Sequence, residues 1–183
     1  MPNPSHELRT SRLHLRPVEA SDVDALHRHW TDPDVRRYLW DDGIISRPQV
    51  AEIVAESERR FATNGHGLWA VTGAEADGVV GCGGFWEFHD PPRLELVLSL
   101  DPEWWGEGLA TEACRRLIGH AFEALGFGEV LASTDAPNAA SLRLMDRIGF
   151  VLTRRATEGG LDTVFYSLPR PGPGLADGPT EAG

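Results

Sequence analysis

The feature that most constrains the fold is a strand, a glycine-containing turn and a long amphipathic helix in direct succession. "RLELVLSL" predicts a strand that ends at Leu100, and Asp101-Pro102 interrupts it. The helix begins near Gly108 and carries the strongest periodic signal in the chain, an apolar stripe that ends at Gly126. Its members are Ala110, Ala113, Cys114, Leu117, Ile118, Ala121, Phe122 and Leu125. This unit predicts a layered α/β fold.

The first half of the chain is predicted to be mainly helical. "RLHLRP" alternates apolar and polar residues and stops at Pro17, which predicts a short first strand. Three helices follow, each with a recognisable start. The starts are Ser21 or Asp22 for the first, Asp32 and Pro33 for the second, and the capping-box pair Ser46 and Gln49 for the third, which closes at Asn64-Gly65.

The second half is richer in strands. "LWAVTG", "GVVGCGGFWEF" and "RLELVLSL" predict a three-stranded antiparallel meander. After the long helix, "EVLAST" predicts a strand, "NAASLRLMDRIG" a helix, and "FVLTRR" and "TVFYSL" two last strands. Residues 1–168 therefore form one domain. Residues 169–183 are so rich in Pro and Gly that we expect a disordered tail.

Composition excludes several functions. The formal charge of −11 disfavours a broad grip on nucleic acid or an anionic membrane. All 17 basic residues are arginine, which excludes a lysine Schiff base and a GxxxxGK phosphate loop. Cys82 and Cys114 lie in apolar stretches, as expected of core residues in a reducing compartment. "MPNPSHELRT" lacks the features of a signal peptide, and we expect a cytoplasmic protein.

The turn before the long helix has the composition of an anion site. A helix start presents backbone N–H groups without helical partners and a partial positive charge. Gly106 and Gly108 would let the backbone approach phosphate oxygens, and Ala110 keeps the first turn slim. Spacing alone leaves a second interpretation open, in which the glycines serve only the geometry of the turn.

Two segments together resemble a known superfamily. "WWGEGLATEA", followed by "NAASLRLMDRIGF", resembles the Gcn5-related N-acetyltransferases (GNAT), and more narrowly the branch of the ribosomal-protein N-terminal acetyltransferases. The opening "LRTSRLHLRPVEASDVDALHRHWTDPDV" is similar to the usual start of that branch, so the resemblance covers residues 8 to 168. It implies a mixed, mostly antiparallel twisted sheet of six to seven strands with helices on both faces. Trp105 stands where the superfamily has Gln or Arg.

The resemblance also implies acetyl-CoA as cosubstrate and a place for each part of it. The strand backbone at Leu98 and Leu100 would bind the pantetheine arm. Asn138 would reach the pantetheine amide, or serve only as a helix cap. The pyrophosphate would lie on Trp105, Gly106, Glu107, Gly108, Leu109, Ala110 and Thr111.

Acetyl transfer to an amine needs a base for the amine and a proton for the departing thiolate. Glu95 is the candidate base, because a carboxylate in so apolar a strand suggests a functional role. Burial would make this carboxylate a stronger base. The alternative is an exposed glutamate on a wet sheet face. Met145 occupies the position of the family's usual tyrosine acid, and neither Tyr38 nor Tyr166 matches that position. Ser141 would instead hydrogen-bond the sulfur, or be an ordinary first-turn serine.

Acceptor contacts are expected from aromatic and acidic residues of the first half and of "FWEFHD". The candidates are Trp30, Tyr38, Trp40, Trp86 and Glu95, with Asp41 and Asp42 nearby. Aromatic rings beside carboxylates suit a basic peptide N-terminus or a small cationic amine. A core tryptophan beside a solvated loop is the alternative. Deprotonating a terminal amine at pH 7 costs about 1 kcal/mol and a lysine-like amine about 4.6 kcal/mol.

Two other functions remain open at this stage. The missing tyrosine is compatible with a GNAT-like module that binds CoA without catalysis, and the turn alone is compatible with a nucleotide-binding module. Small-molecule amines, amino acids and antibiotics remain alternative acceptors to a protein N-terminus. The histidine spacing predicts no metal site. We expect no nucleic acid or membrane partner, and a monomer or homodimer.

Overall fold

The computed structural model describes residues 6–75 and 78–172, which form one eight-stranded sheet with helices on both faces. The strands are β1 Leu8–Arg9, β2 Leu13–Pro17, β3 Leu68–Gly73, β4 Gly81–Phe88, β5 Arg93–Leu100, β6 Glu129–Asp135, β7 Val151–Glu158 and β8 Leu161–Pro169. The helices are α1 Val23–Thr31, α2 Pro33–Leu39, α3 Arg47–Asn64, α4 Leu109–Glu123 and α5 Ala139–Ile148. The predicted layered α/β class is confirmed.

The start signals of α2 and α3 act as the sequence predicts, whereas the side chain of Asp22 makes no capping hydrogen bond on α1. The side chain of Asp32 accepts hydrogen bonds from the backbone of α2, and Ser46 and Gln49 form a reciprocal capping box on α3. At α1 the N-cap residue is Asp22 rather than Ser21. Its carboxylate accepts two hydrogen bonds of 2.7 Å from Arg16, so it joins α1 to β2.

The sheet has one more strand than the upper end of the expected range. Its order is β1-β2-β3-β4-β5-β6-β8-β7, and all neighbours are antiparallel except β5 and β6. The unpredicted strand is β1, whose two residues, Leu8 and Arg9, are too few to show a period. The last strand extends to Pro169, one residue past the predicted domain end. Residues 173–183, most of the predicted tail, lie outside the described part.

The sheet separates two apolar cores. One lies against α4 and α5, and the other lies under α1, α2 and α3. Strand β5 contributes to both, because alternate side chains point to opposite faces. Leu96 and Leu100 belong to the α4 core and Val97 packs against the other. The helical layers therefore enclose the strand that carries Glu95.

Both cysteines are buried free thiols in these cores. Burial raises the pKa of both, that of Cys114 to about 12, so both stay protonated at neutral pH. No helix in the described ranges combines the length and apolarity needed to cross a bilayer.

Candidate active site

The turn between β5 and α4 presents exposed backbone at a helix start. A single 3-10 turn, Pro102–Trp104, follows β5, and Gly106 and Gly108 both adopt left-handed conformations, with φ of 83° and 80°. Gly108 is the N-cap of α4 and, as a glycine, has no side chain with which to cap the helix. The first N–H groups of α4 thus lack the side-chain acceptor that many helices supply themselves.

The space outside this turn is open and flanked by arginine. A Cβ placed on Gly106 would meet no atom within 4 Å, and one on Gly108 would come within 3.8 Å only of Arg12 Nη2. Arg12 donates to the carbonyl of Glu107 at 3.0 Å and pairs with Glu112 at 2.6 Å. The turn therefore combines free amides, slim backbone and a guanidinium, which suits a phosphate group.

A gap opens beside β5 on its way to the turn. Strands β5 and β6 pair in parallel at Glu95 and Leu131, and no further pairing between them follows toward their carboxyl ends. The register of β5 on β4, with the bond from Asp101 N–H to Val80 O, directs the backbone of alternate residues away from β4. Leu98 and Leu100 are among the residues whose N–H and C=O face the gap.

Trp105 lies across the wide end of this gap. It is 50% exposed, and its indole N–H donates to the carbonyl of Leu100 at 2.7 Å. The second lone pair and the N–H of Leu100 stay available to a ligand. The side chain that replaces the usual Gln or Arg therefore braces the turn against β5.

Glu95 is buried, not exposed on a wet face. It is 1% exposed, and its Oε2 accepts a hydrogen bond from Ser133 Oγ at 2.5 Å. His89 Nε2 lies 3.1 Å from Ser133 Oγ and 3.5 Å from the same Glu95 oxygen. Oε1 has no hydrogen-bond partner among the described residues, and Arg93 Nε is 3.9 Å from it. One oxygen of the carboxylate is fixed and the other is free.

Two cavities lie on the α1–α3 side of the sheet. The first, about 260 Å³, is mostly apolar and includes Trp30, Trp40 and Trp86 among its walls. The second, about 300 Å³, contains Tyr38 and four carboxylates, those of Asp41, Asp42, Asp135 and Asp162. Burial, and then the charge of Asp41, raises the pKa of Asp135. The predicted acceptor residues are thus divided between an apolar and an acidic cavity.

Glu95 lines neither cavity, but neighbouring residues on β4, β5 and β6 do. Glu95 is the cross-strand partner of Trp86, and its side chain shares a face of β5 with Val97. Trp86 and Val97 both line the apolar cavity. Ser133, which donates to Glu95, shares a face of β6 with Asp135, which lines the acidic cavity.

The start of α5 lies on the β6 side of the gap. Asn138 is the N-cap, and its Oδ1 accepts from the backbone N–H of Ser141 at 3.1 Å. The capping role of Asn138 is thus present, and its amide nitrogen stays available to a ligand. Ser141 is partly buried, and its hydroxyl has no hydrogen-bond partner among the described residues. Since β5 and β6 are parallel, α4 and α5 both begin at the open end of the gap.

Comparison with known proteins decides the family. The family model for the acetyltransferase (GNAT) domain matches residues 12–151. The chain belongs to the GNAT acetyltransferase family. It is an acyltransferase, and the resemblance noted in the sequence is confirmed at the level of the family.

The chain is similar in sequence or in fold to several acetyltransferases. An uncharacterized N-acetyltransferase p20 of Bacillus licheniformis is 28% identical over 144 residues, which is 78% of this chain and 81% of that protein. A spermidine N(1)-acetyltransferase of Escherichia coli K12 is 24% identical over 157 residues, 83% of this chain and 77% of that one. The structure of RimL, a ribosomal L7/L12 alpha-N-protein acetyltransferase in complex with coenzyme A, has a TM-score of 0.76 at 17% identity, over 89% and 97% of the two chains. That last likeness shows the fold alone.

The residues present fit the cosubstrate that the GNAT family implies. The diphosphate of acetyl-CoA matches the uncapped amides and the open space at Gly106 and Gly108. The pantetheine arm matches the unpaired backbone at Leu98, and its amide the free nitrogen of Asn138. Thr111, in the first turn of α4, is buried and lies 3.4 Å from Arg147 Nη1, which adds a second guanidinium near the site.

The position of the family's usual acid holds a core residue. Met145 is buried in the α4 core, and Tyr166 is also buried, with its pKa raised by burial. Tyr38 is 38% exposed, and its hydroxyl lies 3.5 Å from the carbonyl of Pro137, next to Asn138. Neither tyrosine takes the acid's place, so Ser141 stays the candidate hydroxyl donor at the start of α5.

Sequence reasoning missed three features of the site. Arg12 lies nearly 100 positions from the turn it contacts, and Ser133 and His89 meet Glu95 only through sheet pairing. These three residues form no spacing pattern in the sequence that could have revealed the contacts. Within the described ranges, no group of three or more His, Cys, Asp or Glu side chains is arranged to hold a metal ion.

Proposed function

We propose that this GNAT enzyme transfers the acetyl group of acetyl-CoA directly to a primary amine, with both substrates bound together and Glu95 as the base. The observation that carries the proposal is the buried Glu95 carboxylate, with one oxygen held and one oxygen free, at the narrow end of the cosubstrate gap and next to Trp86 and Val97 of the apolar cavity.

Glu95 would prepare the amine for attack. The hydrogen bond from Ser133 holds Oε2, so Oε1 is the oxygen left to accept a proton, directly or through one water. His89 lies against the same pair and restricts its movement. A carboxylate that cannot rotate freely presents its free oxygen in a fixed direction, which lowers the cost of orienting the amine.

The other residues would bind and orient the cosubstrate. Acetyl-CoA supplies the acetyl group as a thioester. The backbone of Leu98 would hold the pantetheine arm as an added strand, and the turn at residues 105–111 would hold the diphosphate. The Ser141 hydroxyl would donate a hydrogen bond to the sulfur and stabilise its negative charge as it departs.

The acceptor we propose is an amine that is cationic in solution, such as a basic peptide N-terminus or a small cationic amine. The acidic cavity supports this, because its four carboxylates outnumber Arg37 in the lining and the arginines that pair with Asp42 and Asp162. The similarity to a spermidine acetyltransferase is in keeping with a cationic acceptor. Cytoplasmic location, single-domain organisation and a monomeric or homodimeric state stay predictions.

An acceptor screen that follows thiol release tests the proposal. The panel contains peptides with N-terminal Ala, Ser or Thr, spermidine, arylethylamines and free amino acids. Wild type should release CoA with at least one amine, and Glu95→Gln should lower kcat about 10²- to 10³-fold with CoA affinity unchanged. Glu129→Gln, an exposed glutamate on β6, is the matched control. Tight CoA binding without turnover of any amine would favour the non-catalytic alternative.

A further inference from the structure

A second polar cluster lies at the floor of the apolar cavity, apart from Glu95. His29 on α1 is 1% exposed, and its Nδ1 lies 2.5 Å from Oδ1 of Asp101, directly after β5. Its Nε2 lies 2.8 Å from the hydroxyl of Ser99 on β5. The three side chains form a chain of hydroxyl, imidazole and carboxylate.

The protons in this chain can be assigned from its chemistry. A carboxylate only accepts hydrogen bonds, so His29 Nδ1 carries a proton and donates it to Asp101. Burial lowers the pKa of His29, which keeps the ring neutral at pH 7. Its Nε2 is then an acceptor 2.8 Å from the Ser99 hydroxyl, and Ser99 donates its only proton there rather than to the carbonyl of Cys82 at 3.5 Å. The lone pairs of Ser99 Oγ are left for another partner.

Ser99 faces a cavity with little other polar character. The walls include the tryptophans at 30, 40 and 86, and the cavity of about 260 Å³ is the size of a side chain rather than of a whole cofactor. The charged residue in the described lining is Glu87, which pairs with Arg60 at 2.7 Å. Arg60 in turn lies over the ring of Trp86. Trp30 and Trp40 also have buried indole N–H groups without a partner among the described residues, but these are donors. Ser99 is the buried side-chain acceptor that the described lining leaves for a ligand.

We propose that this cavity holds the substituent of the acceptor amine and selects an aromatic ring that carries a hydrogen-bond donor, which the Ser99 oxygen accepts. The proposal rests on the proposed function and specifies its acceptor class. Ser99 and Glu95 lie four residues apart on the same face of β5, about 13 Å along the strand. A hydroxylated arylethylamine with its ring hydroxyl at Ser99 would direct its amine toward Glu95.

His29 and Asp101 act as positioning residues for this contact. They fix the Ser99 hydroxyl proton toward the imidazole, so that the oxygen presents acceptor character to the cavity. A site built to pair with a ligand hydroxyl discriminates strongly against the analogue that lacks it, because the buried oxygen is then left unpaired. The expected discrimination is about 10-fold or more in kcat/KM.

Tyramine and phenethylamine test the proposal, because they differ only by the ring hydroxyl. Wild type should prefer tyramine about 10-fold or more in kcat/KM, and Ser99→Ala should bring the ratio close to one. Ser99→Thr, which keeps the hydroxyl, should retain the preference. Ser167→Ala, which removes a hydroxyl on β8 that contacts Glu129, is the matched control and should leave the ratio unchanged.

The same two amines separate this proposal from the proposed function. If other amines are acetylated and these two are not, or if the wild-type ratio is near one, or if Ser99→Ala leaves the ratio unchanged, the acceptor class is wrong. If no amine is acetylated, binding can still be measured by quenching of the fluorescence of the cavity tryptophans, excited at a wavelength longer than phenol absorbs. Stronger saturable quenching by tyramine that Ser99→Ala abolishes supports the proposal, and equal or no quenching overturns it.

Discussion

Ser133 Oγ donates a 2.5 Å hydrogen bond to Oε2 of the buried Glu95 at the point where β5 and β6 pair. Beyond this point the two strands separate and the cosubstrate gap opens. The same contact therefore joins the halves of the sheet and orients the carboxylate proposed as the base.

Ser133→Ala should affect both stability and activity. Removal of the hydroxyl leaves Oε2 of Glu95 buried with only His89 nearby, and the free energy of unfolding should fall by about 1–3 kcal/mol. The kcat should fall about 10-fold because the carboxylate loses its fixed orientation. Urea unfolding and steady-state kinetics measure the two effects. Wild-type values for both would show that this hydrogen bond has no such role.

Arg12→Ala should weaken CoA binding about 5- to 10-fold at low salt. The guanidinium lies beside Gly108 and holds the carbonyl of Glu107, and its contribution should shrink as salt screens the exposed charge. Calorimetric titration with CoA at two salt concentrations gives the difference. Arg9→Ala removes an exposed arginine whose ion-pair partner among residues 6–75 and 78–172 is Glu7, and it serves as control. Equal affinities for the two variants would exclude Arg12 from the site.

Gly108→Ala and Gly119→Ala should have opposite effects on stability. Gly108 has a φ of 80°, so a Cβ there costs about 1–2 kcal/mol, and CoA affinity should fall with it. Gly119 lies inside α4 with nothing within 4 Å of a new Cβ, and alanine there should stabilise by about 0.5–1 kcal/mol. Thermal unfolding with and without CoA tests both. Full CoA affinity in Gly108→Ala would contradict the proposed contact.

Stability should fall as pH drops below about 6.5. Burial lowers the pKa of His29, His66 and His120, so the unfolded chain takes up protons that the folded protein does not. Above about pH 6.5 both states are neutral at these rings and the stability is complete. Urea unfolding at about pH 7.5 and about pH 5.5 measures the loss. His66→Phe should reduce it, since His66 packs edge-on against Phe85 and Phe127, and an undiminished loss would oppose this attribution.

The sequence predicted the elements well because their signals are local. The capping pair Ser46 and Gln49 marks the start of α3, and the apolar stripe marks α4, although the helix ends at Glu123, before the last predicted stripe residue, Leu125. The turn at Gly106 and Gly108 could be predicted because its signals are adjacent in the sequence: glycines, which adopt positive φ readily, stand directly before the residues that begin the helix. Strand β1 escaped detection because two residues carry no period.

The environment of the site could not be predicted, because it depends on contacts between distant segments. The sequence singles out Glu95, yet whether it is wet or buried depends on β6, which contributes Ser133 from 38 positions away. Likewise, Ser99 and Asp101 meet His29 only when α1 packs on β5. Residue type and spacing indicate candidates, and sheet pairing decides their neighbours.

The proposed function depends most on the backbone amides of residues 105–111, which would bind the diphosphate of CoA. NMR of the 15N-labelled protein tests this contact directly. On titration with CoA, the largest amide shift changes should fall at Gly106, Gly108 and the first turn of α4, and saturate with a single binding curve. ATP at the same concentrations should produce smaller changes. Unchanged amides across this turn while CoA binds elsewhere, or no change anywhere, would contradict the account.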